Sequence, residues 1–162
     1  MKALTIWQPW ASLVIVGAKP YEFRGWRPHR SMIGERIVIH AAARPMVAEE
    51  VRGIVDRLQA GYASEVCLHT EAALALLLPL YHFKKPIGLP LAAGLGSAVI
   101  GEPRAGYDIA EEFGAERVND SDRDQHCNWG WPMLEVERWG APIAARGAQG
   151  FWWWPTPKMA GL

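Results

Sequence analysis

Lys19, Glu22 and Arg24 stand close together in the octapeptide Gly17–Arg24 (GAKPYEFR). The stretch can bring an ammonium, a carboxylate and a guanidinium to one hollow. If residues 22–24 are extended, Glu22 and Arg24 share a face and Phe23 turns the other way, because side chains alternate along a strand. Such a trio against an apolar floor suits a polar ligand of nucleotide size. The plainer alternative is a surface loop with one salt bridge, which contributes little. For catalysis, Lys19 is the candidate general base, since burial lowers an ammonium's pKa from its usual value of about 10.4. Glu22 could place a water or accept a proton. Tyr21 is the third candidate, although on a strand it points away from Glu22. His29 or His40 would stand behind these groups in a ribonuclease.

Binding makes a second use of the same segment. Trp26 is set among Arg24, Arg27, His29 and Arg30. Single-stranded RNA is recognised by stacking splayed bases on aromatic and guanidinium planes, with basic groups along the phosphates. The candidate nucleic-acid surface is therefore Lys19, Arg24, Trp26, Arg27, Arg30 and His40. His40 ends a strand before three alanines, and it either faces the cleft or is bonded to backbone there. Of the nine Trp, Trp7, Trp10, Trp139, Trp152 and Trp154 read as core, while Trp129 and Trp131 could go either way. The run Phe151–Pro155 offers a protein-binding patch if Trp153 and its neighbours are exposed.

A metal is not expected. Cys67-x-His69 and His126-Cys127 lack the spacing with which paired ligands reach one tetrahedral ion. Asp120–Asp124 (DSDRD) lacks the glycine and distal glutamate of a calcium loop. No cofactor is called for either.

Composition narrows the classes. Half of the 162 residues are hydrophobic, enough for one domain, residues 1–162, with a proper core. Zero formal net charge argues against a broad, sequence-blind DNA coat. The charge is uneven, however. Residues 19–44 hold six Lys or Arg against two Glu, and residues 102–124 hold eight acids against three Arg. The acidic segment could cover the basic cleft. Two cysteines are too few for a disulfide framework. With no leader pattern and no apolar run of membrane length, the expectation is a cytoplasmic protein with reduced thiols and no membrane contact.

The elements that must position these residues follow from pattern. Ala3–Trp7 predicts a strand, Trp10–Val16 a buried helix opened by Pro9, and Glu35–Ala42 the clearest strand. Val47, Val51, Ile54, Val55 and Leu58 have helical spacing after Pro45, ending at Gly61. A third helix is expected over Thr70–Leu78 with Thr70 as cap. Later strands are expected at Ala98–Gly101, Met133–Arg138 and Phe151–Trp154. Gly106–Asn128 reads as a long loop with at most one helical turn. The fold class is α+β, helices early and strands mostly late, around a small twisted barrel.

Several landmarks occur in order: Gln8-Pro9-Trp10-Ala11, Gly17-x-Lys19-x-x-Glu22-x-Arg24, Trp26-Arg27-Pro28, His40-Ala41-Ala42, Pro142-Ile143 and Gly147-x-x-Gly150-Phe151-Trp152. The succession, over roughly residues 3–154, resembles the ASCH domain (activating signal cointegrator homology) family of PUA-like proteins. The segments 60–95 and 106–128 carry no part of the likeness. The resemblance implies a PUA-like β-barrel with flanking helices. It also implies a cleft in which Lys19, Glu22 and Arg24 meet single-stranded RNA or a modified nucleotide. Some relatives look like ribonucleases, and a small bacterial branch removes the acetyl group of N4-acetylcytidine with a Lys, a Thr and a Glu. In that branch the Thr stands two residues before the motif Arg, where this chain has Glu22, a departure that argues against the same deacetylation. A hydrolase acting on RNA or a nucleoside in this cleft is the alternative to a binding module.

Overall fold

The structure is a computed structural model and describes residues 1–84, 88–116 and 128–155. Its strands are β1 (Lys2–Ile6), β2 (Tyr21–Arg24), β3 (Arg36–Ala41), β4 (Ala93–Ile100), β5 (Arg104–Ala105), β6 (Trp129–Ala144) and β7 (Phe151–Trp153). The helices are α1 (Trp10–Ile15), α2 (Ala48–Gln59), α3 (Ala63–Val66), α4 (Thr70–Leu77) and α5 (Gly106–Glu112). All strands join one mixed sheet in the order β2-β6-β4-β3-β1-β7, with β5 also paired to β6. Only β1 and β3 run parallel.

The sheet curls, and its core explains why. Leu4, Ile6, Ile37, Ile39, Ala98, Ile100 and Trp131 lie in one buried cluster, with Ala11, Val14 and Ile15 of α1 packed into the same cluster. Leu13, also on α1, joins a second cluster with Val51, Ile54, Val55 and Leu58 of α2 and Ala73 and Leu77 of α4. The short helix α1 therefore stands between the sheet and the helical layer. Five of its six residues are buried, as a helix apolar all round requires. The fold is an α+β, twisted half-barrel with flanking helices.

Several expectations need correcting. Strand β4 starts at Ala93 rather than Ala98, because its glycines are set by close packing instead of ending the strand. A Cβ on Gly96 would lie 2.2 Å from the Glu137 carbonyl oxygen, and one on Gly94 2.5 Å from the Trp154 ring. Strand β6 runs for 16 residues through Pro132, Gly140 and Pro142, carried by pairing with β2 on one stretch and β4 on the next. Residues 106–112 form a helix longer than one turn, and α3 has no counterpart in the sequence reading. Thr70 is the first helical residue, and the cap position is His69, whose side chain makes no capping bond.

One tryptophan also departs, and another is now placed. Trp7 is 56 % exposed, with the Arg44 guanidinium 4.2 Å from its ring centre. Trp131, left open by sequence, is fully buried in the sheet core. Trp153 is 73 % exposed, whereas Trp152 and Trp154 turn in to pack around His40. The Phe151–Pro155 run is therefore not one continuous exposed patch. No described helix is long and apolar enough to cross a membrane. His126, Cys127 and Asp120–Asp124 lie outside the described residues.

Candidate functional site

The motif begins at a helix end. Gly17 takes φ +76°, the left-handed turn that glycine adopts without steric cost, and its N–H donates to the Val14 carbonyl. The N–H groups of Ala18 and Lys19 both return to the Leu13 carbonyl. This reversal sends the Lys19 side chain beneath α1, where only 2 % of the residue is exposed. Its Nζ donates to Glu22 Oε2 at 3.1 Å and to the Tyr21 carbonyl oxygen. The ammonium also faces the rings of Trp10 and Phe23 at 5.7 and 5.3 Å, a placement favourable to a cation.

Glu22 is the hinge of the trio. It is 6 % exposed, and its other oxygen, Oε1, accepts from Arg24 Nε at 3.0 Å. Burial pushes its carboxyl pKa up, but the charges and hydrogen bonds of Lys19 and Arg24 more than offset this and hold it below the usual carboxylate value. The three head groups thus converge, joined through one carboxylate. They do not form an open hollow, because Lys19 and Glu22 are covered and only Arg24 reaches the surface.

Arg24 sits at the seam of the half-barrel. The edge strands β2 and β7 are not paired with each other, and Arg24 crosses towards the far side, its Nη2 donating to the Thr5 carbonyl at 3.2 Å. Aromatic rings fill the gap beside it. Trp131 stacks on Phe151 at 5.6 Å, and Trp26 meets both edge-on, at 4.7 and 6.2 Å. The register Glu22↔Trp131 and Arg24↔Trp129 puts these four side chains on one face of the sheet. Trp131 Nε1 donates to the Trp26 carbonyl, which holds the Trp26 segment while 44 % of that residue stays exposed.

Thr5 links the seam to a second feature. Its hydroxyl oxygen accepts from Trp152 Nε1 at 3.0 Å and lies 3.2 Å from His40 Nδ1. His40 Nε2 is 2.9 Å from the Ala145 carbonyl oxygen, which can only accept, so Nε2 carries the hydrogen and Nδ1 accepts from Thr5. Burial lowers the His40 pKa, although the bond to Ala145 opposes the shift. Thr5 and His40 floor an open cavity of about 740 Å³, walled by Ala43, Ala92, Ala145 and Gly147. A side chain on Gly147 would strike the pair, with a Cβ only 2.6 Å from the His40 ring.

The remaining candidates lie apart. The Tyr21 hydroxyl accepts from Arg104 Nη1 at 2.8 Å and meets Glu112 at 3.4 Å, so it is engaged with α5 rather than with Glu22. Arg27 and Arg30 line a different cavity of about 570 Å³ with Pro28, Ile33 and Glu102. Neither cavity is lined by Lys19, Glu22 or Arg24. Among the described residues no cluster of His, Cys, Asp and Glu is placed to hold a metal. Sequence reasoning missed Thr5, Gly147 and Glu102 as site residues. Thr5 had a signal, as a lone hydroxyl in the apolar run Ala3–Ile6. Gly147 is a landmark without a role of its own in the sequence, and Glu102 is the first acid of the segment expected to cover the basic cleft.

A curled mixed sheet flanked by helices, with a polar trio where the helical layer meets the sheet, defines a PUA-like domain. The ASCH domain family model matches residues 4–88, just over half of the chain, and the chain belongs to that family. The match takes in residues 60–88, which the sequence landmarks left unassigned, and stops before those at Pro142–Trp152. Those later residues nonetheless sit in the same sheet, with β7 paired to β1. No curated protein matches the chain.

Proposed function

We propose that the chain binds single-stranded RNA, or a nucleotide, at the seam between β2 and β7. A base stacks on Trp26 and the Arg24 guanidinium meets phosphate or a base edge. The observation that carries this reading is the setting of Arg24, whose Nε and one Nη2 donor are fixed by Glu22 and Thr5. Fixing a guanidinium in advance lowers the ordering cost of binding. Lys19 and Glu22 act from beneath, as the carboxylate that aims Arg24 and the cation that holds that carboxylate. Membership of the ASCH family supports RNA as the ligand class.

A hydrolase in the same place has less support. Both Glu22 oxygens are already engaged, and Tyr21 is turned to Arg104, so water activation would need the trio to rearrange.

The test is titration of a short single-stranded RNA at several salt concentrations. Wild type should show a linear fall of log affinity with log salt, and Arg24→Ala should weaken binding and reduce the slope by about one. Equal affinities and slopes for the two proteins would reject this surface. Chromatography of RNA and N4-acetylcytidine after incubation with stoichiometric protein decides the hydrolytic alternative, which needs a product.

A further inference from the structure

The cavity of Arg27 and Arg30 has a different chemistry from the seam. Two guanidinium groups and one carboxylate, Glu102, surround it, on a partial floor of Pro28 and Ile33. Arg27 is aimed by its neighbours. Its guanidinium carbon lies 4.8 Å from the Trp129 ring centre, and its Nη2 donates to Glu102 Oε1 at 3.2 Å. Trp129 is the cross-strand partner of Arg24, so one indole joins this cavity to the seam. Arg30 has no ion pair among the described residues.

The resident pair is weak. More than half of each side chain is exposed, 52 % for Arg27 and 71 % for Glu102, and exposed pairs contribute little. Glu102 is therefore a counter-ion that an incoming anion can displace. What displaces it depends on charge. A phosphodiester inside a strand carries one negative charge and replaces like with like, at the added cost of freeing a carboxylate. A phosphomonoester carries about 1.5 to 2 charges near neutral pH and three acceptor oxygens, which suits two guanidinium groups.

We infer that the cavity lined by Arg27, Arg30 and Glu102 is a subsite for a terminal phosphate of the bound strand, with Glu102 acting as the counter-ion that excludes internal phosphates. The inference rests on the RNA-binding reading above and adds to it a preference for chain ends. Trp26 adjoins Arg27 in the chain, so this cavity is the anion subsite nearest in sequence to the stacking ring. The 5′ and 3′ phosphates share the chemistry, so the two ends are separated by experiment.

The experiment is a competition assay with three unlabelled RNA oligomers of one sequence, bearing a 5′-phosphate, a 3′-phosphate or hydroxyls at both ends. One phosphorylated oligomer should compete roughly three- to tenfold better than the hydroxyl-ended one, as about 1.5 to 2 further charges near two exposed guanidinium groups allow. The better end identifies the source. Arg27→Ala and Arg30→Ala should each remove that preference while hydroxyl-ended RNA still binds through Arg24 and Trp26. Glu102→Gln should narrow it by improving the hydroxyl-ended oligomer. Equal competition by all three oligomers on wild type overturns the inference and leaves the RNA reading standing. Failure of every oligomer to bind ends the RNA reading, and the cavity is then judged by calorimetry with inorganic phosphate at pH 8. Heat that Arg27→Ala abolishes upholds the anion subsite, and no heat overturns it.

Discussion

Arg24 donates from Nη2 to the main-chain oxygen of Thr5 at 3.2 Å, and by doing so ties the two ends of a half-barrel that no ladder of backbone bonds closes. The same arginine is anchored behind by Glu22, which is anchored in turn by Lys19. The order of these three contacts, from buried ammonium to surface guanidinium, sets what each substitution should do.

Glu22→Gln should be the costliest change in the trio. It leaves the Lys19 ammonium covered and without its carboxylate, and removing one partner of a buried pair typically costs about 3–5 kcal/mol. Lys19→Met should cost less, because Glu22 keeps Arg24. Denaturant unfolding of both variants checks the order. A loss below about 1 kcal/mol for Glu22→Gln would mean that the pair does not organise the site.

Trp26→Ala should lower RNA affinity by about 1–3 kcal/mol, the usual contribution of one stacked base. The far-ultraviolet circular dichroism should stay unchanged, since the ring is substantially exposed. Retained affinity would move the stacking platform elsewhere.

Acid should weaken the fold in two windows. The folded His40 resists protonation relative to its ordinary value of 6.5. The unfolded chain therefore binds the proton first, and stability declines as pH falls from about 6.5 towards the lower folded value. Glu22 is lowered from 4.5, so its contribution is present above that pH and is lost as pH drops further. Melting temperatures from pH 8 to 3 should show both declines, and His40→Gln should erase the first. A flat profile between pH 7 and 5 would count against the His40 assignment.

Gly96→Ala should be far worse than Gly140→Ala. The added methyl would meet the Glu137 carbonyl at 2.2 Å in the first case and nothing within 4 Å in the second. Overpacking of this kind typically costs about 1–3 kcal/mol, and more where the obstacle is backbone. Thermal unfolding of the two variants side by side measures the difference.

What could be read in advance depended on where the information lay. Strand β3 was legible because Ile37, Val38 and Ile39 form one apolar run, and α2 because its buried residues recur at helical spacing. Strands β4 and β6 were truncated in the sequence reading, since Gly94, Gly96, Pro132 and Gly140 normally interrupt strands. Here the glycines of β4 are dictated by rings and carbonyls brought in from β6 and the C-terminus, which local pattern does not reveal. The octapeptide foretold which groups would meet, but not their depth. That depth comes from the left-handed turn at Gly17 and the roof formed by Trp10 on α1. Trp131 could not be assigned either, because its burial depends on a β2–β6 pairing more than a hundred positions apart in sequence.

Thr5 gives the molecule an internal gauge. Its carbonyl holds Arg24 while its hydroxyl takes the indole hydrogen of Trp152, so whatever pulls on the guanidinium also tugs on a chromophore at the opposite end of the chain. Occupancy of the seam should therefore register as a change in native emission, with no dye attached.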